Sequence, residues 1–418
     1  MRRAMTTGTQ SYIPNKTELV EAARALVPVI RERAEKAESL RRMPDDTIAE
    51  LKAAGFNKMY MPKRFGGFEL DWGVHYDVAR ELGRACGSTA WTVSLVFSHI
   101  FWVGRFYPEA QEEFFARQSD PIVATGAAGN GVLKEVDGGY RLSGRWKFLS
   151  CVDHADCAIV TGRDDPEKTF SHFVMVYPED YKIIDTWDTE GLRGTGSNDV
   201  EIGDCFVPWY RALRREDFLG YVTPGSKIND HYMYRMRAAP LQRSWFAAPL
   251  VGPARGALEE YCNITKSRTG QMFGERIIDQ VPVQVRVAES LAEIETAELI
   301  IDKNLHFIHE SGLKGDDFEG IEVLKARRDM TYVARLCVSA TTRLAEMMGA
   351  SGQQRGNPVQ RLMRDCRAVA THIELQWDHA MAPIGRYLFD LPTGDPVVDS
   401  QKANMSGGSV GSLIGARS

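Results

Sequence analysis

Of the nine histidines, one stands out by its surroundings. His99 interrupts the apolar run WTVSLVFSHIFWV, where an imidazole costs desolvation unless it has a partner or lines a cavity. Two readings stand side by side: a core histidine bonded to a backbone carbonyl, or a ring that presents an acid or base to a ligand near neutral pH. Ser150 follows the segment RWKFL and precedes Cys151 and the DHAD turn, and a lone serine there is ordinarily turn chemistry. His372 and His379 would share one helix face if their helix runs on; either alone is by default structural. His306 and His309 stand one helical turn apart with Glu310 beside them. A metal there needs further ligands converging in space, so a surface pair is favoured.

Other residues could hold an anion or a flat ring. Arg268, in KSRTGQMFGER with Gly270 and Gly274, offers a guanidinium and open backbone to a phosphate. The Gly-rich connection GASGQQRGN (349–357) is of the same kind, and each is weak alone. Trp146, Phe148 and Trp187 are either core or a platform for a flat ligand.

These residues sit on elements whose hydrophobic period changes twice. From about 15 to 120 the pattern is helical, with Leu19, Ala23, Leu26, Val27 and Ile30 recurring at threes and fours. Pro44-Asp45-Asp46 opens a second helix that Gly55 ends. From about 121 the period falls towards two: VLKEVD, a Gly138-Gly139 turn and YRLSGRWKF read as a hairpin, and CAIVTG, HFVMVY and DVEIGDCFV as further strands. From about 240 long amphipathic helices return, with stripes at Leu291, Ile294, Ile301, Leu305 and Ile308 and at Val333, Cys337, Ala340, Leu344 and Met347. They predict a four-helix bundle. The fold class is therefore α+β: an N-terminal helical domain (1–120), a β-barrel-like middle domain (121–230) and a C-terminal helical bundle (231–418) with a Gly/Ser-rich tail.

The 418 residues carry a net charge of −5 without a block of five like charges, which argues against a nucleic acid or an anionic membrane as main partner. Seven scattered cysteines, with no CxxC, speak against a disulfide framework or zinc ribbon and for reduced thiols in a cytoplasm. MRRAMTTGTQ has no apolar segment behind its arginines, so it is no secretory signal. No strand–GxGxxG–helix unit occurs, which excludes a Rossmann nicotinamide site, and GxxxxGK[ST], HExxH and GxSxG are missing too.

Taken together, PDDTIAELKAAGF…MPKRFGG, LRGTGSNDVEIGDCFVP (192–208), RTGQMFGERIIDQVPVQVRVAE (268–289) and GASGQQRGNPVQRLMRDCR (349–367) resemble, in order, motifs of the acyl-CoA dehydrogenase superfamily. The position at which its commonest branch carries a catalytic glutamate falls here on Ile373, between His372 and Glu374. That departure weakens oxidation of an acyl-CoA thioester, the alternative activity. CGSTAWTVSLVFSH (86–99), SCVDHADCAIV (150–160) and RLMRDCRAVATH (361–372) instead resemble the branch of two-component flavin monooxygenases, the 4-hydroxyphenylacetate 3-hydroxylase oxygenase family. One difference is Ser150-Cys151 where that branch has Ser-Gly.

The resemblance implies an oxygenase component that takes reduced FMN or reduced FAD from a separate NAD(P)H-dependent flavin reductase. With O2 it would form a C4a-hydroperoxyflavin that hydroxylates a small aromatic substrate of the phenol class; nitrogen, sulfur or indole oxidation is the alternative within the branch. It also implies a homotetramer and no metal. By the same resemblance His372 bonds the peroxide, Ser150 the flavin N5 edge or the substrate hydroxyl, and His99 faces the substrate. The flavin would lie against Thr125, Phe148, Arg268, Phe273, Gly349, Ser351 and Gly352, with Trp146 and Phe148 walling its ring.

Overall fold

The computed structural model describes residues 12–165, 170–270, 274–316, 318, 320–395 and 398–399. The first eleven residues, Phe273 and the Gly/Ser-rich tail lie outside them. Asn15 opens helix α1 (Lys16–Leu40) by accepting the Glu18 amide while Glu18 reaches back to its own, a reciprocal cap that satisfies two orphan donors. The helix buries Leu19, Ala23, Val27 and Ile30, the stripe that the spacing predicts. After Pro44 comes α2 (Asp45–Ala53), ended by Gly55 at φ +78°, then α3 (Val74–Gly83).

The apolar run at 89–103 is broken rather than one helix. After α4 (Gly87–Trp91) the backbone widens into a π turn at Thr92–Val96 and tightens into a 3-10 turn at Phe97–His99 before α5 (Ile100–Val103). Such irregular turns rotate side chains off the regular helical register and recur at functional sites. Helix α6 (Pro108–Arg117) closes the first helical part.

The middle part is two sheets. One orders β1 (Val123–Gly126), β5 (Cys157–Gly162), β6 (His172–Val176) and β9 (Ala212–Arg214), with β1 and β5 parallel. The other holds β2 (Ala128–Gly129), β3 (Val132–Val136), β4 (Gly139–Leu149), β7 (Lys182–Ile184) and β8 (Asn198–Pro208), with β4 paired to β2, β3 and β8. The predicted hairpin is β3–β4, in register from Val132↔Ser143 to Val136↔Gly139. Leu133, Leu142, Trp146, Leu149, Val160, Val174 and Val200 from the two sheets share one buried cluster.

Helices α7 (Arg215–Leu219) and α8 (Ala238–Ser244) lead into α9 (Ala247–Thr265), α10 (Val281–Lys314), α11 (Gly320–Met347) and α12 (Pro358–Ala370). Helices α9 to α12 pack against one another as the expected four-helix bundle, and α13 (Trp377–Leu388) lies on α11. Bundle and N-terminal helices share a single apolar core. Close approach of α9 to α3 needs a missing side chain: a Cβ on Gly256 would meet the Arg84 carbonyl at 2.2 Å. That contact seats the N-terminus of α9, with Trp245 and Phe246 before it, beneath the broken helix that carries His99.

Candidate active site

His99 is fully buried, and burial pushes its pKa down to about 3 against the opposing Val123 carbonyl. Its Nδ1 lies 2.9 Å from the Val123 carbonyl oxygen. A carbonyl only accepts, so Nδ1 carries the proton and Nε2 presents a bare lone pair. Thr125 Oγ1 is 3.3 Å from that nitrogen, and Trp245 meets the ring edge-on at 5.3 Å. Both strand partners come from β1, which the Val123↔Cys157 pairing fixes. The carbonyl bond expected of a core histidine is therefore present, and the acceptor nitrogen opposite it is met by the Thr125 hydroxyl, which a ligand O–H would replace.

His372 has the opposite tautomer. Helix α12 stops at Ala370, and His372 caps the following 3-10 turn, its Nδ1 accepting the Glu374 amide at 3.2 Å. A nitrogen that accepts from a backbone N–H leaves Nε2 as the N–H donor of the neutral ring. Burial lowers the His372 pKa, and Glu374 only partly offsets it. The helix break also corrects the expectation that His372 and His379 share a helix face: His379 is on α13, exposed. His372 lies 4.5 Å from the Phe246 ring and 6.1 Å from Trp91.

Ser150 completes the group. Its Oγ accepts from Trp91 Nε1 at 2.9 Å and sits 2.7 Å from Ser197 Oγ. Trp91 and Phe246 thus join Ser150 to His372, while Trp245, next to Phe246 in the chain, holds His99 on its own ring. Beside it β4 carries a bulge between Trp146 and Leu149, which puts Phe148 at φ +67° and leaves its ring 59% exposed. A left-handed φ on a non-glycine residue is costly, and bulges re-aim side chains next to active sites. Phe148 stands edge-on to Trp187 at 6.3 Å, the two lining a cavity of about 510 Å³ with Thr186, Arg145, Lys147 and Asp199. An exposed aromatic ring on a left-handed backbone, two residues before Ser150, fits a flat heteroaromatic such as a flavin. Trp146 does not wall this space: it is fully buried between the sheets, with its Nε1 on the Thr161 carbonyl.

Arg268, Gly349, Ser351 and Gly352 also meet. Arg268 Nη2 and Ser351 Oγ both donate to the Met348 carbonyl, at 3.2 and 2.8 Å, and Gly349 turns the chain at φ +62°. They lie past the far end of α9 from Phe246. Nineteen helical residues span about 28 Å at 1.5 Å each, so this group is remote from His372 within one chain. His306 is exposed, and His309 faces Tyr232 and Asp71 instead; among the described residues no group of three or more His, Cys, Asp or Glu could hold a metal ion.

Ile373, at the position of the dehydrogenase glutamate, points to solvent. Glu374 is tied to Arg243 at 3.1 Å and faces Arg327; burial pushes its pKa up, but the two arginines bring it below the ordinary value. It is a bound anion, not a free base. Sequence reasoning missed Trp91, Phe246, Ser197 and Asp365. Asp365 accepts the Gly87 amide on one oxygen at 3.1 Å and the Leu192 amide on the other at 2.7 Å, tying α12 to the helix of Trp91 and the turn before β8. Burial pushes its pKa up to about 6. Its spacing among the buried Leu362, Cys366 and Val369 was a readable signal, since an acid on an apolar stripe needs partners.

Comparison with known proteins bears on the family and the fold. Residues 14–117 match the acyl-CoA dehydrogenase N-terminal domain and residues 244–377 the acyl-CoA dehydrogenase C-terminal domain. The chain is 33% identical to the flavin-dependent monooxygenase oxygenase subunit HsaA of Rhodococcus jostii, over 90% of this chain and 99% of that protein. The chain belongs to the oxygenase components of flavin-dependent monooxygenases. The p-hydroxyphenylacetate 3-hydroxylase oxygenase component of Acinetobacter baumannii is 28% identical over 93% of both chains. XiaF from Streptomyces, solved in complex with FADH2 and glycerol, superposes with a TM-score of 0.85 at 25% identity, covering 91% of this chain and 97% of that one. This oxygenase is therefore a flavin enzyme on the acyl-CoA dehydrogenase fold.

Proposed function

We propose that this oxygenase hydroxylates a small phenol, with His99 as the substrate-facing base and His372 as the oxygen-facing donor. The observation that carries the reading is the pair of opposed tautomers held against the consecutive residues Trp245 and Phe246: an acceptor Nε2 on His99 and an N–H on His372 Nε2. A phenolic O–H directed at His99 Nε2 gains an acceptor, and the negative charge that builds on the phenol oxygen draws the imidazole pKa back up. The ring carbon ortho to that oxygen becomes electron-rich and accepts one oxygen atom, while the other leaves as water. Reduced flavin, when bound, supplies the two electrons that activate dioxygen. Ser150 would meet the N5 edge, and Phe148 and Trp187 would flank the ring. His372 would donate to the oxygen undergoing transfer, and the rings of Trp91 and Phe246 beside it would limit the approach of water.

Arg268 with the 349–352 turn would hold the flavin phosphate of a second copy, because the length of α9 puts them out of reach of their own chain's site. That supports a homotetramer, or at least an assembly with shared sites. A separate reductase supplies the reduced flavin, and the seven free thiols suit a cytoplasm. No helix among the described residues is long and apolar enough to cross a membrane. The test is product analysis with reduced flavin, oxygen and a panel of para-substituted phenols: the expected product is the catechol, and acyl-CoA dehydrogenation with no phenol turnover would overturn the reading.

A further inference from the structure

The hydroxyls behind Ser150 form a chain whose direction can be worked out. Thr195 Oγ1 lies 2.9 Å from the Leu192 carbonyl oxygen. Two bare oxygens do not rest at that distance, so the Thr195 proton lies between them. Thr195 then has none to give Ser197, 2.7 Å away, and Ser197 must donate to Thr195. Ser197 in turn has none to give Ser150, also at 2.7 Å, and Ser150 must donate to Ser197. On its other side Ser150 accepts the Trp91 indole N–H. Ser150 is left with one lone pair and no proton.

The anchor of this chain is itself held. Leu192 sits at φ +53°, its amide donates to Asp365, and its carbonyl also receives Trp187 Nε1–H at 3.0 Å. Ser150, Ser197 and Thr195 are all buried, so bulk water cannot supply alternative partners that would reverse them.

We propose that Thr195 and Ser197 are positioning residues that make Ser150 an obligate acceptor, so that the site prefers reduced to oxidised flavin. The proposal rests on the reading that Ser150 faces the flavin N5 edge. Reduced flavin carries N–H at N5 and oxidised flavin a bare lone pair. An acceptor bonds the first and opposes the second. For a chain that receives flavin already reduced, this preference retains the useful form and releases the spent one.

The experiment is titration of the full-length protein with oxidised flavin in air and with dithionite-reduced flavin under anaerobic conditions, giving two Kd values per variant. In Ser197→Ala the Ser150 proton is freed to turn towards N5, and the preference for reduced flavin should fall about tenfold. For a two-electron couple that lowers the bound-flavin potential by about 30 mV. Thr195→Val, which frees the Ser197 proton to turn on Ser150, should act in the same direction and serves if Ser197→Ala does not fold. Ser197→Thr should restore the preference. Trp91→Phe removes a donor without reversing the chain, so it should weaken both forms alike. Equal weakening of both forms by Ser197→Ala and Thr195→Val would overturn the relay while leaving the flavin site standing. Failure of the unsubstituted protein to bind either form would overturn the flavin reading and the relay with it.

Discussion

His372 performs two tasks that a pair of substitutions can separate. Its Nδ1 caps the 373–375 turn through the Glu374 amide, and its Nε2–H is free for the site. In His372→Asn the amide oxygen can take over the cap, since asparagine is among the best N-cap residues, but the side chain is too short to replace Nε2–H. In His372→Ala both are lost, the cap alone costing about 1 kcal/mol. Loss of the ring contact with Phe246 at 4.5 Å costs both variants about 0.5–1.5 kcal/mol. A hydrogen bond to an oxygen that is gaining charge is worth about 1.5–3 kcal/mol. Both variants should therefore divert oxygen to hydrogen peroxide about ten- to a hundredfold more than the unsubstituted protein, relative to product. The assay is oxygen consumed, peroxide released and catechol formed in one vessel with reduced flavin, alongside a urea denaturation of each variant. Unchanged coupling in His372→Asn would refute the donor role. Uncoupling confined to His372→Ala would show that only the turn matters.

Arg268→Ala should weaken reduced-flavin binding about ten- to a hundredfold, the worth of one charge-assisted contact, without changing the assembly size; an unchanged Kd would contradict the phosphate role. Asp365→Asn replaces one accepting oxygen by an N–H facing a backbone N–H, and should cost about 1–3 kcal/mol in denaturant unfolding; no loss would show that the two bonds are dispensable. His99 has its folded pKa at about 3, below its unfolded value, so the unfolded chain binds the extra proton and stability falls as pH drops below 6.5. Its share between pH 6.5 and 5 is about 2 kcal/mol, and His99→Gln should flatten the acid fall in unfolding free energy by that amount. An identical pH dependence in the variant would mean that the ring is not held neutral.

The architecture was legible because each part has its own period: the α1 stripe, the β3–β4 hairpin and the long bundle helices all stand where periodicity predicts them. His99 was visible as an imidazole in a mostly apolar run. What periodicity could not show was the π turn at 92–96 before it, because Thr92, Ser94, Ser98 and His99 are buried along with the apolar residues and mark no solvent face from which a phase could be read. Whether the helix of RLMRDCRAVATH ran on past His372 was open from the sequence; α12 ends at Ala370 and the histidine acts as a cap. Trp146 and Phe148, two residues apart in one strand, read alike as aromatics; the bulge between them sends one into the core and the other into the open. Arg268 and Ser351 share the Met348 carbonyl, a meeting that their separation of about eighty residues in the sequence does not show. The length of α9, which separates that group from His372, becomes meaningful only once Phe246 and Arg268 are known to lie at its two ends. Asp365 could be picked out as an acid on an apolar stripe, but its partners, the Gly87 and Leu192 amides, could not, and the Ser197 contacts with Ser150 and Thr195 have no sequence period at all.

The most direct test is to mix the anaerobic protein, loaded with reduced flavin, with oxygenated buffer in a stopped-flow spectrophotometer and follow the flavin absorbance. A species distinct from both reduced and oxidised flavin should persist before reoxidation, and adding a phenol should convert its decay into catechol formation. Reoxidation at the rate of free flavin, with peroxide released in full and no phenol consumed, would contradict the oxygenase mechanism.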